Sequence, residues 1–433
     1  MCAVDLHGKE RVLLVCDFFC PGVGGVENHI LQLGQCLSDL GHKAVILTHA
    51  YKNHTGICHT PEGLKVYYAP RRPVYQQATL PTVLGGFALL RGILISERIS
   101  LVHAHAAFSP MAHEALLHAR TMGLRTVFTD HSLMGFADVA SILVNKALKF
   151  TLADVHQVIC VSHTGKENTV LRACIPPGRV AVIPNAVRAE HFAPHLSPTG
   201  PDAHRTVVAL SRLVHRKGID LLAVVVPAMC RRRPDLRFVI GGDGPKAPLL
   251  WRMVEQHGLH ERVTLLGEVA ADEVPGVLAR GRVFLNTSLT EAFCMALVEA
   301  AAAGLLVVST RVGGVPEVLP PSMLLLADAC PEALGAALEA ALDRAPSIDR
   351  QSQHRQVAAM YSWPAVAART ERVYAATARD VRDDSPLGRL RRYVRCGRVF
   401  GLLACAVAAF DMMFLHWLEW WQPAYSIDLA PNY

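Results

Sequence analysis

The chain has 433 residues, 51% of them hydrophobic and only 18% charged, with 31 glycines, 26 prolines and a formal charge of +6. That length exceeds one ordinary core and fits two domains of about 150 to 200 residues each. Disordered and collagen-like chains are excluded. So is a disulfide scaffold: twelve cysteines, none paired at the two-residue gap of a zinc knuckle or redox motif, read as small buried hydrophobes in a reducing compartment.

The apolar run Val12 to Phe19 is eight residues long and broken by Asp17, too short for a signal peptide. Followed by Pro21, Gly22, Gly24 and Gly25, it predicts a buried parallel strand and a glycine loop. Helical spacing follows, with Val26, Ile30, Leu33 and Leu37 on one face and a stop at Gly41. Strands are predicted at Val45 to Thr48, Leu64 to Tyr68, Leu101 to His105, Thr126 to Thr129 and Gln157 to Val161. Between them lie helices at Thr82 to Glu97, Pro110 to Met122 and Ile142 to Leu152. This alternation implies a parallel sheet covered on both faces, and the first domain is taken as 10–187. Residues 188–204, with prolines and little periodicity, read as a linker. A second series starts at Thr206, with strands at Phe238 to Gly241, Val263 to Gly267, Val283 to Asn286 and Leu305 to Ser309. It closes in helices, which gives a second domain over 205–382. Two doubly wound α/β domains facing a cleft are the expected architecture.

The mean hydropathy of +0.26 is explained at the end of the chain. Val399 to Leu418 is a 20-residue stretch whose polar breaks are Asp411 and His416. At about 1.5 Å per residue it matches the roughly 30 Å hydrocarbon core, which predicts a transmembrane helix over 399–418. Arg389, Arg391, Arg392, Arg395 and Arg398 precede it, and Glu419 and Asp428 follow; the positive-inside rule places the large N-terminal part in the cytoplasm. Asp411 is costly near mid-bilayer and is expected to mark a contact between subunits.

The chemistry gathers around charged residues at strand ends. Glu291 and Glu299 frame a loop-to-helix junction after the strand at Val283 to Asn286, about two helical turns apart. A diphosphate laid on that helix start would bring a sugar to Glu291 and a ribose to Glu299. Arg212 and Lys217, after the strand at Thr206, are fixed cations able to neutralise a diphosphate leaving group without a metal. The absence of any Asp-x-Asp pair fits that arrangement. Gly242, Asp243 and Gly244 follow one strand, and Gly313 and Gly314 another, allowing backbone to approach a ligand at carboxyl strand ends. In the first domain His131, in Thr129-Asp130-His131-Ser132, can hydrogen-bond a donor sugar, and Gly24 with Gly25 can admit a phosphate. His103 and His105 read as strand residues. No metal site is expected. Nucleic-acid binding is disfavoured, because the basic residues concentrate beside the apolar stretch.

In order along the chain, Gly24-Gly25-Val26, Thr129-Asp130-His131, Arg212 with Lys217, Gly241 to Pro245, the Glu291/Glu299 pair and Arg311 to Gly314 resemble the retaining GT-B glycosyltransferases of family four. Asp17-Phe18-Phe19, residues 129–138, Lys166 to Ala173, Arg212 to Asp220 and Leu285 to Glu299 resemble its GPI-anchor-initiating branch, over about residues 10 to 425. The resemblance implies two Rossmann-like domains in the GT-B arrangement. It implies transfer of GlcNAc from UDP-GlcNAc to phosphatidylinositol with retention, as the first step of GPI-anchor synthesis. The enzyme would sit in the endoplasmic reticulum membrane among other subunits of a transferase complex, with no resident cofactor. Arg212 and Lys217 would bind the diphosphate, Glu291 the sugar hydroxyls, Glu299 the ribose, and His131 would lie beside the sugar. Ala292 and Cys294, flanking Phe293, depart from the glycines of many relatives. The competing readings are a transferase of the same fold with another nucleotide sugar or lipid, a mannosyltransferase for example, and a non-catalytic scaffold subunit.

Overall fold

The computed structural model describes residues 9–431 apart from Val23, Lys52, Gln76, residues 136–138 and residues 195–204, so most of the expected linker lies outside the described residues. The chain divides into two compact units, one running to Pro184 and resuming at Pro364, the other spanning Asn185–Trp363.

In the first unit, β1 (Arg11–Val15) carries four consecutive apolar residues, Val12 to Val15, buried on both faces. Such a strand can only sit in the middle of a covered parallel sheet. It is followed by α1 (Gly25–Asp39), β2 (Lys43–His49), β3 (Gly56–His59), β4 (Lys65–Ala69) and the short ribbon β5 (Pro73–Tyr75) and β6 (Ala78–Thr79). Next come α2 (Phe87–Ser96), β7 (Leu101–His105), α3 (Pro110–Thr121), β8 (Arg125–Asp130), α4 (Val139–Asp154), β9 (Gln157–Cys160), α5 (His163–Ala173) and β10 (Val180–Val182). The sheet order is β10-β9-β8-β7-β1-β2-β4-β3, parallel throughout except for edge strand β3. The order reverses between β1 and β7, the kind of switch point where open α/β sheets bind ligands. Leu13, Val15, Val102, Phe128 and Val158 form the core with the inner faces of α2 and α3. The helix expected from Thr82 begins only at Phe87. Thr82 is held instead by the Glu114 carboxylate, which accepts its backbone N–H, and Gly85 and Gly86 weaken any helix through them.

The second unit contains β11 (Thr206–Leu210), α6 (Ile219–Arg232), β12 (Arg237–Gly241), α7 (Ala247–Gln256), β13 (Val263–Leu265), α8 (Val274–Leu278) and β14 (Val283–Asn286). It continues with α9 (Met295–Ala302), β15 (Leu306–Thr310), β16 (Leu324–Ala327), α10 (Pro331–Arg344) and α11 (Arg350–Met360). Its sheet is parallel in the order β13-β12-β11-β14-β15-β16, reversing between β11 and β14.

Three helices end the chain: α12 (Trp363–Ala378), α13 (Pro386–Val394) and α14 (Arg398–Trp421). The expected boundary at residue 382 is corrected to Trp363, because α12 is fastened to the first unit. Tyr374 bonds the buried His103 at 2.8 Å, and Glu371 bonds His42 at 3.0 Å and Lys9 at 3.1 Å.

At 24 residues, α14 is long and apolar enough to cross a membrane. One narrow face is buried on the first unit through Gly401, Ala404, Ala408, Asp411 and Leu418; small side chains there let the helices approach closely. Asp411 has its partners inside the chain: His118 Nδ1 lies 2.7 Å from one oxygen, and Thr121 donates its hydroxyl to the other. The expected contact between subunits at this residue is therefore replaced by an intramolecular one. Two of the five flanking arginines are likewise used internally, Arg389 and Arg392 donating to opposite oxygens of Asp154 at 2.8 Å.

Candidate active site

In the second unit the chemistry-bearing residues sit on loops at the carboxyl ends of the four central strands. After β11 the chain turns through Ser211 and Arg212 to Lys217, then reaches α6 through Gly218. At Gly218 φ is +67°, and a Cβ would collide with the Thr287 carbonyl oxygen. The β11 and β14 loops are pinned together there: Thr287 donates its hydroxyl to the Lys217 carbonyl at 3.0 Å, and Leu289 N–H donates to the Arg216 carbonyl at 2.8 Å. The loop after β12 is equally constrained. Gly242 has φ +130°, a Cβ there would run into Ser211 O, and Leu213 N–H donates to Asp243 O at 2.8 Å. Glycine is required wherever backbones meet this closely.

Glu291 lies in the loop before α9, not on the helix itself, and its carboxylate takes a hydrogen bond from Lys217 and another from Ser288 Oγ at 2.8 Å. Its backbone carbonyl accepts from Gly314 N–H at 2.9 Å, which ties in the β15 loop bearing Gly313 and Gly314. Lys217, Glu291 and Gly314 thus form one connected rim, with Lys217 and Glu291 both mostly buried. One role that the spacing did not indicate is shown by the structure: Glu291 fixes the Lys217 ammonium. Glu299 sits one turn into α9, and burial pushes its carboxyl up to about 7. Cys294 caps α9 with φ +67°, a conformation that glycine adopts without strain and a side chain does not.

In the first unit, His131 follows β8, at the end of which Asp130 organises the turn. One Asp130 oxygen accepts from Ser132 N–H at 3.0 Å and Ser132 Oγ at 2.6 Å. The other accepts from Thr169 Oγ1 at 2.9 Å and Arg172 Nη1 at 3.1 Å. His131 Nε2 lies 3.3 Å from His105 Nδ1, and its ring meets that of His29 edge-on at 4.7 Å. Burial, reinforced by His103, drives His131 down to about 3, and burial also holds His103 and His105 well below the usual histidine range. These imidazoles are neutral at pH 7, so His131 acts as a hydrogen-bonding group and not as a cation. Ligand nitrogens of His29, His105 and His131 lie within 4.8 Å of one another, the one such group among the described residues with room for a small metal ion.

Gly24 caps α1 in extended backbone, with the Glu27 carboxylate folded over it. Asp17 lies outside the expected site residues yet organises this end of the sheet. Fully buried after β1, it accepts from Thr79 N–H and hydroxyl, from Ser109 Oγ and from Met111 N–H, and so joins the β1, β6 and α3 loops. A charged residue interrupting an otherwise apolar strand end was the available signal. His29 had none beyond its place one turn after Gly25.

Two doubly wound sheets, each with a glycine-bearing loop at its switch point and one rimmed by paired Lys and Glu, are the architecture of the GT-B glycosyltransferases. Residues 204–344 match the family of glycosyl transferases group 1, and residues 49–138 match the PIGA (GPI anchor biosynthesis) family. A sucrose-phosphate synthase structure from Thermosynechococcus elongatus superposes with TM-score 0.70 at 20% identity, over 85% of this chain and 98% of that one. A phosphatidylinositol N-acetylglucosaminyltransferase subunit of Arabidopsis thaliana is 52% identical over 98% of this chain and 94% of its own length, and its human namesake is 49% identical over 97% and 87%. The gpi3 subunit of the same transferase from Schizosaccharomyces pombe is 49% identical over 96% and 91%. The chain belongs to the family of phosphatidylinositol N-acetylglucosaminyltransferase subunits that these three proteins represent.

Proposed function

We propose that this chain transfers GlcNAc from UDP-GlcNAc to the inositol of phosphatidylinositol with retention at the anomeric carbon, at the cytoplasmic face of the endoplasmic reticulum and together with other subunits. The observation that carries the reading is the Lys217–Glu291 pair, locked to the β15 glycine loop at the switch point of the second sheet. Arg212 and Lys217 hold the diphosphate and neutralise it as the bond from C1 to the diphosphate oxygen breaks. The inositol hydroxyl then bonds to C1 from the same face and gives its proton to the departing diphosphate, so charge and atoms balance without a protein nucleophile. Glu291 fixes Lys217 and receives sugar hydroxyls; Glu299 receives the ribose. Gly242, Asp243, Gly244, Gly313 and Gly314 border the donor. His131, neutral, donates or accepts a hydrogen bond at the sugar, and Gly24 with Gly25 take the acceptor phosphate. The reaction needs no metal, since fixed cations supply the charge.

The test is transfer of radiolabelled GlcNAc to phosphatidylinositol in membranes carrying the chain or its Lys217→Ala or Glu291→Ala form. Both variants are expected to lose at least about a hundredfold in kcat/KM, the scale of removing a positioned charge at a developing anion, and NMR of the product is expected to show retained configuration. Equal turnover by the Lys217 variant, or preference for GDP-mannose, refutes the proposal.

A further inference from the structure

Beside the start of α14 the first unit carries a pocket of about 390 Å³ that none of the chemistry above uses. Five arginines, Arg179, Arg382, Arg391, Arg392 and Arg395, line it against two aspartates, Asp380 and Asp383. Three of the five are fixed. Arg382 donates to the carbonyls of Asp154 and Val155 at 2.9 and 3.1 Å, Arg179 donates to His156 O at 3.3 Å, and Arg392 donates to Asp154 and Asp384 at 2.8 and 3.0 Å. The other two, Arg391 and Arg395, are exposed, and no hydrogen bond or ion pair to a described residue holds their guanidinium groups. An excess of cations, part rigid and part unengaged, is the arrangement that recognises a phosphate.

The helix bearing the free pair points to the source of that phosphate. Leu387, Arg391, Val394 and Arg395 follow the spacing of one helical face. Leu387 and Val394 are 57% and 53% exposed, and Val399, one residue beyond Arg398, is 75% exposed. Apolar tips alternating with cations, next in the chain to α14 with its exposed Leu402, Leu403, Phe410 and Met413, suit the boundary between acyl chains and headgroups. A site for a soluble anion would have no use for the exposed apolar side chains.

We propose that this face of α13, with the arginine pocket behind it, docks on the bilayer and holds the phosphate of an anionic phospholipid headgroup, separately from the acceptor bound for glycosyl transfer. The inference rests on the membrane reading of α14 and not on the identity of the sugar donor. The experiment titrates the full-length chain in detergent with dihexanoyl phosphatidylserine, dihexanoyl phosphatidylcholine or inorganic phosphate and reads binding by thermophoresis. Phosphatidylserine is expected to bind more tightly than either alternative. R391Q/R395Q is expected to weaken it about thirtyfold, from about fivefold per lost surface cation, while R391K/R395K retains most of it. Transfer of GlcNAc to a soluble phosphatidylinositol analogue is expected to be the same in all three proteins. Equal binding of phosphatidylserine by the glutamine variant overturns the site; inorganic phosphate binding as tightly as the lipid overturns the lipid assignment. If GlcNAc transfer fails in the unaltered chain while the lipid titration behaves as expected, the donor assignment falls and the docking site stands.

Discussion

The turn that presents His131 depends on a buried ion pair, and removing one half of it is the sharpest test of the first unit. Arg172 and Asp130 have side chains only 0% and 1% exposed, with Nη1 of Arg172 3.1 Å from the carboxylate. Arg172 also donates through Nε to Asn145 at 2.6 Å, but its second terminal nitrogen has no partner among the described residues, so the pair is not a fully satisfied network. Arg172→Met would keep most of the volume and leave Asp130 with only Thr169 and Ser132 as donors. A buried charge stripped of its partner costs about 3 to 5 kcal/mol, and the surviving hydroxyl donors place the expected loss near the lower end. For a unit of this size that lowers the melting temperature by about 6 to 12 °C. Thermal unfolding of the full-length chain in detergent reads the shift, and Asp130→Asn added to Arg172→Met is expected to recover part of it, because the uncompensated charge is gone. The single variant should also lose kcat more than KM changes, since His131 is displaced while the donor loops of the other unit are untouched. A loss below about 1 kcal/mol, the scale of a surface pair, or a double variant no better than the single one, would refute this reasoning.

The remaining tests address other parts of the chain. With its carboxyl raised to about 7 by burial, Glu299 favours the folded state in its neutral form, so its contribution to stability is lost as pH rises from the ordinary carboxylate range to about 7. Glu299→Gln should flatten that part of the stability profile, and donor KM in the unaltered chain should rise as pH falls below about 7, where the carboxylate proposed to hold the ribose becomes protonated. Gly242→Ala forces a Cβ into Ser211 O at φ +130° and should cost at least about 1 to 3 kcal/mol of stability by urea unfolding, with activity lost in step. Asp411→Leu leaves the His118 and Thr121 donors without an acceptor, worth about 1 to 3 kcal/mol; co-purification of partner subunits is expected to persist, and its loss would return Asp411 to an interface between subunits. Incubation with EDTA should leave GlcNAc transfer unchanged, whereas abolition would direct attention to His29, His105 and His131.

Sequence alone was enough to specify the alternation of strands and helices, because a parallel strand buried on both faces must be a continuous apolar run and a covering helix must show its 3.6-residue stripe. Val12 to Val15, Val283 to Leu285 and the helix bearing Ile30, Leu33 and Leu37 all follow from that rule. The glycines at strand ends were legible for the same local reason: a positive φ or a backbone contact tolerates no side chain. The apolar stretch at Val399 declared itself by length and composition. Partnerships between distant residues were decided by the tertiary structure only. Nothing local assigns Tyr374 to His103 across 271 positions, Asp411 to His118 across 293, or Lys217 to Glu291 across 74. Which of the four arginines before α14 are spent on Asp154, and which remain to face outward, is settled by where α13 packs on α4. Spacing along a chain fixes which face a side chain occupies. Only the packed sheet and its covering helices determine what that face meets.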